Sequence, residues 1–499
     1  MSLRLIEKLR LHADERPDAP AIRGIVPAGG PEWSWAELRS RVELLADFLR
    51  GHLAAGSTVI LLLTNRPQYT AAFLAILDAD MTVFPIAPDT ACTELEQAAR
   101  RSGAAAMIVS TSAQAIARDL VKLSQPVTQV ADDVLFLALS AENGMPTGGP
   151  ALLLLSSGTT GSSKIVRRDG ASLDAVCANM VEAVGLRKSD CVLAAVPLCH
   201  SYGLEHGLLA PTWAGSTVHL CNGFDVPAVF AELAGARGAG CSVFPGVPFM
   251  FETLCAADGP AHLASLRTIY SAGAPLPRAL YDAFLSRFKI PIAQLYGATE
   301  IGSVLYNDPS IDPFDPASVG RSMAGVSVRI LDPDQPDLEH GLPVRMEGHV
   351  AVRAPSMLSG YVDDTEVPLT GGYFLTGDLG RLDATGALTI TGRIKLLIDI
   401  GGRKVNPLEV EQVLATHPAV GECVVVSIRV SQTLNRLKAI VTPGPRGASP
   451  DAGDLRQFLR SRLSAYKIPR VFEVRRSLPR SALGKILRGE IEARELGNQ

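Results

Sequence analysis

The chain has 499 residues, too many for one compact core, so two or more domains are expected. Its 47% hydrophobic and 20% charged residues are those of a globular protein, and a formal charge of −4 without a basic run argues against nucleic-acid binding. None of the eight cysteines falls in C-x-x-C spacing, which argues against a zinc site or a disulfide frame and for reduced thiols in a cytoplasmic protein.

The opening MSLRLIEKLRLHADERPD is charged throughout and has no signal-peptide core. Within it Leu3 to Ala13 has helical spacing, as does Trp35 to Leu49, with Leu38, Val42, Leu45 and Leu49 on one face. Strand-like and helical stretches then alternate through Val59 to Leu63, Thr70 to Leu77, Thr82 to Ile86, Leu95 to Arg101 and Ala106 to Val109. That alternation predicts a parallel sheet with helices on both faces, and none of these runs is long enough to span a membrane.

The run ALLLL, Ala151 to Leu155, reads as a buried strand and Ala171 to Leu186 as a helix. Between them lies SSGTTGSSK, Ser156 to Lys164. Gly158 and Gly161 let successive N–H groups converge on an anion. Ser156, Ser157, Thr159, Thr160, Ser162 and Ser163 add hydroxyls, and Lys164 adds a cation. A solvated linker is the plainer reading of such a composition. A Walker loop is excluded, because two serines separate Gly161 from Lys164 and Ile165 follows; Gly158 and Gly161 also supply only one interval of the dinucleotide fingerprint. The stretch reads as a polyphosphate cradle of a third kind.

In VPLCHSYGL, Val196 to Leu204, His200 sits between apolar runs, where a histidine is more often structural than catalytic. Asp225 reads as the N-cap of a helix over Val226 to Gly235. Cys241 to Val247, Leu266 to Ser271 and Ile292 to Leu295 read as strands. The second ends in SAGAP, with Gly273 and Ala274, and the third in LYGATE, Leu295 to Glu300. Strands ending in small residues at one sheet edge are where α/β folds place ligands. Tyr296 offers a stacking face, Gly297 backbone access, Thr299 a hydroxyl and Glu300 a carboxylate, and a carboxylate near polyphosphate usually acts through Mg²⁺. Gly372 to Arg393 reads as strands around the turn Asp383 to Gly386, with Asp378 in a Thr-Gly-Asp turn.

Beyond Arg393, Asn406 reads as a helix N-cap, with Pro407 at the first position and Glu409 completing a capping box. Strands Glu422 to Arg429 and Leu437 to Val441, a helix Asp451 to Leu463 and a strand Val471 to Val474 complete a small α+β module. Lys485 follows a glycine in PRSALGKILR, where a lysine is ordinarily a solvated charge.

These motifs, in this order, resemble those of the ANL superfamily: acyl-CoA synthetases, adenylation domains of peptide synthetases, and luciferases. The loop is similar to the family's [ST]-[SG]-G-[ST]-T-G-x-P-K-G, with Ser163 for the proline and Ile165 for the last glycine. Pro197, Leu198, His200 and Gly203 match P-L-x-H-x-x-G, the pattern of acyl and aryl ligases. The resemblance implies an α/β fold: a large AMP-binding domain, 1–393, with helix-flanked, mostly parallel sheets, and a small mobile domain, 394–499, hinged at Lys395. It implies that ATP lies on Ser156, Ser157, Gly158, Thr159, Thr160, Gly161 and Lys164, with Gly273, Ala274 and Gly297 beside it. Tyr296 would then stack on adenine, Asp378 and Arg393 meet the ribose, Thr299 the phosphate, and Glu300 hold Mg²⁺. His200 would line the carboxylate pocket, Lys485 serve adenylation, and Gly401 and Gly402 line the thiol tunnel. The implied activity is adenylation of an organic acid and its transfer to the thiol of CoA. The alternatives are loading of a separate carrier protein's phosphopantetheine arm, and a nucleotide-binding protein without catalysis.

Overall fold

The computed structural model describes residues 3–24, 32–111, 124–139, 149–156, 164–235, 240–274, 276–332, 341–362, 367, 369–393, 398–400, 403–405, 407–430, 435–444, 450–479, 491–492 and 494–495. They divide into two units. The first gathers Met1–Pro88, Ala99–Ser156 and Ile165–Ile394; the second gathers Asp89–Ala98, Ser157–Lys164 and Lys395–Gln499.

In the first unit, short β-branched and leucine-rich runs become strands buried on both faces, as TVILL does at Thr58–Leu62. Longer runs become helices, such as Pro67–Asp78, whose proline occupies the first turn where its missing N–H costs nothing. Trp35–His52 starts on Ser34, which accepts from Glu37 N while Glu37 bonds back.

An eight-stranded sheet runs Gly360–Tyr361, Lys164–Asp169, Ala151–Ser156, Thr82–Pro85, Thr58–Leu62, Ala104–Ser110, Val134–Leu139, Ser124–Ala131. Its middle is parallel and its described edges antiparallel. A nine-stranded sheet runs Arg321–Ser322, Gly302–Asn307, Ala293–Ala298, Thr268–Ser271, Val243–Gly246, Cys191–Ala194, Thr217–Leu220, Pro20–Gly24, Glu32–Ser34. Every neighbouring pair from Ala293–Ala298 to Pro20–Gly24 is parallel. A third, antiparallel sheet holds Gly348–Arg353 and Tyr373–Leu382, with Leu388–Arg393 paired beyond. The α/β reading holds, with antiparallel edges added to parallel centres.

The second unit is built on Val420–Arg429 and Asn435–Pro443, paired antiparallel, with Val471–Val474 added in parallel. Helices Pro407–Ala415 and Ala452–Arg460 pack Val410, Leu414, Leu455 and Leu459 onto Val425, Ala439 and Val441. Within this unit the buried ammonium of Lys467 donates to Glu409 at 2.8 Å and Glu94 at 3.1 Å. Burial of Glu409 pushes its carboxyl above the usual range, and Lys467 opposes that rise. Glu409 therefore serves an ion pair, while Asn406, the expected cap, lies outside the described residues.

Candidate active site

The parallel strands of the nine-stranded sheet all point the same way, so the segments leaving their C-terminal ends gather at one edge. Cys191–Ala194 leads into the segment carrying His200, Val243–Gly246 into Val247, and Thr268–Ser271 into Ala272, Gly273 and Ala274. Ala293–Ala298 carries Tyr296 and Gly297. Gly273 needs its missing side chain for its φ of +84°.

The third strand does not stop before LYGATE, as the sequence suggests. It continues through Ala298, turns over Thr299 and Glu300, and returns as Gly302–Asn307. The reason is steric. A Cβ on Gly297 would lie 2.4 Å from the carbonyl oxygen of Gly302, so only glycine lets the two strands close. The turn is then held from outside. Leu358 N donates to Glu300 O at 2.7 Å and Ser356 Oγ to Ile301 O at 2.6 Å. The same segment continues along the strand that follows the phosphate loop, Ser359 N donating to Arg167 O and Val362 N to Ile165 O. Tyr361 at its end is pushed well above the usual phenol range, by burial first and by the Glu300 carboxylate second.

Asp378 reaches the same hairpin from a different sheet. The buried Tyr296 hydroxyl donates to its Oδ2 at 2.6 Å, across 82 residues of sequence. Thr376-Gly377-Asp378 is not the turn the sequence suggests but an irregularity within the strand Tyr373–Leu382, where the register with Gly348–Arg353 shifts and Gly377 takes a φ of +76°, and three contacts fix it. Thr376 Oγ1 donates to Val350 O, Asp378 N donates to Thr376 Oγ1, and Gly377 N donates to His349 Nε2. Accepting there requires a neutral ring, and burial indeed holds His349 below the usual imidazole range, against a smaller pull from Asp378. Asp378 stands opposite Arg393 in the strand register.

His200 opens the short helix Ser201–Leu204. Its approach is clamped: Asn65 Nδ2 donates to Ala194 O and Val196 O, Leu198 N donates to Asn65 Oδ1, and Tyr69 OH donates to Leu198 O. Gly203 is obligatory, because a Cβ there would sit 2.2 Å from Pro197 O. Asp225, by contrast, is a cap as expected, accepting from Ala228 N at 2.9 Å.

Behind the hairpin lies a buried polar chain that sequence reasoning missed. A π-turn, Glu205–Leu209, follows the His200 helix. Glu205 pairs with the fully buried Arg168, whose guanidinium lies beneath Gly302. Ser303 Oγ donates to Glu205 Oε2 at 2.7 Å, so it accepts from His206 Nε2–H at 2.8 Å, and His206 Nδ1 accepts from Tyr270 OH at 3.1 Å. Every partner is consistent with a neutral histidine, which burial pushes down to about 3. A signal was available: Glu205-His206 interrupts the apolar run from Gly203 to Trp213.

Of the other expected site residues, Ser156 ends the strand Ala151–Ser156 and Lys164 opens the next. Ser157, Gly158, Thr159, Thr160, Gly161, Lys395, Gly401, Gly402 and Lys485 lie outside the described residues.

The family model for AMP-binding enzymes matches residues 9–362, and that for the AMP-binding enzyme C-terminal domain matches 409–485. A feruloyl-CoA synthase of Amycolatopsis sp is 30% identical over 498 residues, covering 96% of each chain. An amide bond synthetase, McbA, from Marinactinospora thermotolerans superposes with a TM-score of 0.83 at 26% identity, covering 97% of this chain and 99% of that one. The o-succinylbenzoate CoA synthetase MenE of Bacillus subtilis superposes at 0.82 with 25% identity, covering 97% of both.

Proposed function

This chain belongs to the AMP-binding enzyme family as an AMP-forming acid–thiol ligase, and we propose that its acid is an aryl carboxylate and its thiol that of CoA. The observation that supports the adenylating site is the Tyr296–Asp378 hydrogen bond, which brings two motifs from separate sheets together and favours reading them as one adenosine subsite. A carboxylate such as that of Asp378 is the acceptor type that a vicinal diol requires. Tyr296, held by its strand at one end and by Asp378 at the other, keeps its ring in one orientation for stacking. Arg393, beside Asp378 in register, is proposed to share the ribose.

In this reading the loop from Ser156 to Lys164, through Ser157, Gly158, Thr159, Thr160 and Gly161, takes the leaving pyrophosphate, and Gly273 and Ala274 border the nucleotide. The Glu300 carboxylate is a hard oxygen donor on a turn held from outside and suits Mg²⁺, which when bound neutralises polyphosphate charge, while the Thr299 hydroxyl beside it is left for the phosphate. The acid's carboxylate, directed by His200, attacks the α-phosphorus, giving acyl-AMP and pyrophosphate. Lys485 offsets the repulsion between carboxylate and phosphate oxygens. The thiol of CoA, guided by Gly401 and Gly402, then displaces AMP. We further propose that 394–499 forms a separate domain that turns about Lys395 between the two steps.

Three relatives support an aromatic acid: the feruloyl-CoA synthase, an indoleacetate–CoA ligase 29% identical over 512 residues, and a 4-coumarate–CoA ligase 30% identical over 475. The test is pyrophosphate release across ferulate, indoleacetate, 4-coumarate, malonate and oxalate, with and without CoA. Turnover with aryl acids that needs CoA is expected. Turnover confined to malonate or oxalate would overturn the substrate class. A single burst of acyl-AMP that CoA cannot discharge would favour a carrier protein as the acceptor.

A further inference from the structure

Three buried ligand-type side chains meet on the face of the nine-stranded sheet that carries helix Val226–Leu233. They are Cys191, first residue of its strand; Cys241, two residues before the neighbouring strand; and His219, on the strand that flanks Cys191 on the other side. Cys191 Sγ lies 3.4 Å from Cys241 Sγ, and Cys241 Sγ lies 3.5 Å from His219 Nδ1. A fourth donor stands beside them, Glu232 Oε2 at 3.3 Å from the same ring nitrogen. All four residues are at least nine-tenths buried.

These separations lie within about 0.4 Å of the edges of a small tetrahedron. Zinc bonds of about 2.3 Å to sulfur and 2.1 Å to nitrogen or oxygen give edges of ~3.8 Å for S–S, ~3.6 Å for S–N and ~3.4 Å for N–O. Two thiolates, one imidazole and one carboxylate are a donor set for zinc, and too soft for Mg²⁺ or Ca²⁺. The backbone around them is fixed: Cys191 N donates to Ser242 Oγ at 3.1 Å and Cys241 N to Glu232 O at 3.1 Å.

We propose that Cys191, Cys241 and His219, with Glu232 at the fourth corner, form a buried structural site for a zinc-type divalent ion. It ties two neighbouring strands of the nucleotide-binding sheet, and the strand beyond them, to helix Val226–Leu233. The cysteines lie at the N-terminal ends of strands whose C-terminal ends carry the active-site segments. The site would therefore act on the sheet and take no part in the reaction. Spacing along the sequence hides it, because each ligand comes from a different element.

The test is Co²⁺ titration of the full chain, purified under reducing conditions and stripped with a chelator. One Co²⁺ per chain is expected, with near-ultraviolet thiolate-to-cobalt absorption that Zn²⁺ displaces. Cys241→Ser and His219→Ala should each weaken binding by at least ~10-fold. Cys221→Ser, a buried thiol outside the cluster, should bind as wild type does. Because serine at a buried position can weaken the fold, the wild-type spectrum decides independently of the variants. No thiolate band, a chain two mass units lighter that binds no metal, or equal loss in Cys221→Ser would each overturn the site.

Discussion

Replacing Asp378 by alanine removes the acceptor on which the Tyr296 hydroxyl sits and the one assigned to the ribose diol. A hydrogen bond to a charged partner contributes about 1.5–3 kcal/mol, so KM for ATP should rise roughly 10- to 100-fold. The sharper comparison is ATP against 2′-deoxy-ATP. Wild type should discriminate between them and Asp378→Ala should not; undiminished discrimination would put the ribose elsewhere. Tyr296→Phe keeps the ring and should leave that discrimination in place. His206 supplies a pH dependence. An unfolded imidazole titrates near 6.5 and the buried one at about 3, so on acidification the unfolded chain binds the proton first. This contribution is complete above about pH 6.5 and is lost as pH falls toward 3, at up to about 1.4 kcal/mol per pH unit. His206→Gln should flatten urea stability over that window by one proton's slope, and an unaltered slope would contradict the assignment. Tyr296, Glu300 and Asp378 stand in contiguous motifs that a sequence displays by itself. Arg168, Glu205, His206, Tyr270 and Ser303 do not, since only the fold brings them into contact.

The hairpin from Ala293–Ala298 to Gly302–Asn307 depends on what lies under it. Deleting one partner of a buried ion pair leaves an uncompensated charge and typically costs 3–5 kcal/mol, whereas replacing both with apolar groups is often near neutral. Glu205→Leu should therefore destabilise by about that amount, leaving Arg168 buried and Ser303 without its acceptor. Adding Arg168→Met should recover much of the loss, seen as a urea midpoint returning toward wild type. A double variant as weak as the two single losses summed would show that the pair is not coupled. Element identity was readable from apolar run length, but element ends were not. The sequence places the end of the strand near Ile292 at Leu295, yet pairing with Gly302–Asn307 carries it to Ala298. The clamp of Asn65 on the His200 segment had no periodic or motif signature either, because its partners are backbone groups about 130 residues away.

Two units and a two-step reaction make demands that no single site does. Lys485→Ala should reduce adenylation by at least ~10²-fold, as loss of one transition-state donor does, while sparing thioester formation from synthetic acyl-AMP. Equal loss in both halves would assign Lys485 a structural role. Lys395→Pro restricts φ and removes a backbone donor at the proposed hinge, so it should still adenylate but accumulate bound acyl-AMP. Wild-type thioester turnover in that variant would remove the hinge. Both substitutions presuppose that the acid's own oxygen attacks the α-phosphorus, and isotope transfer reports on that bond directly. With an ¹⁸O-labelled aryl acid, ATP and CoA, one ¹⁸O should appear in AMP and none in inorganic phosphate, with pyrophosphate as the other product. Label found in phosphate, with ADP formed in place of AMP, would contradict adenylation altogether.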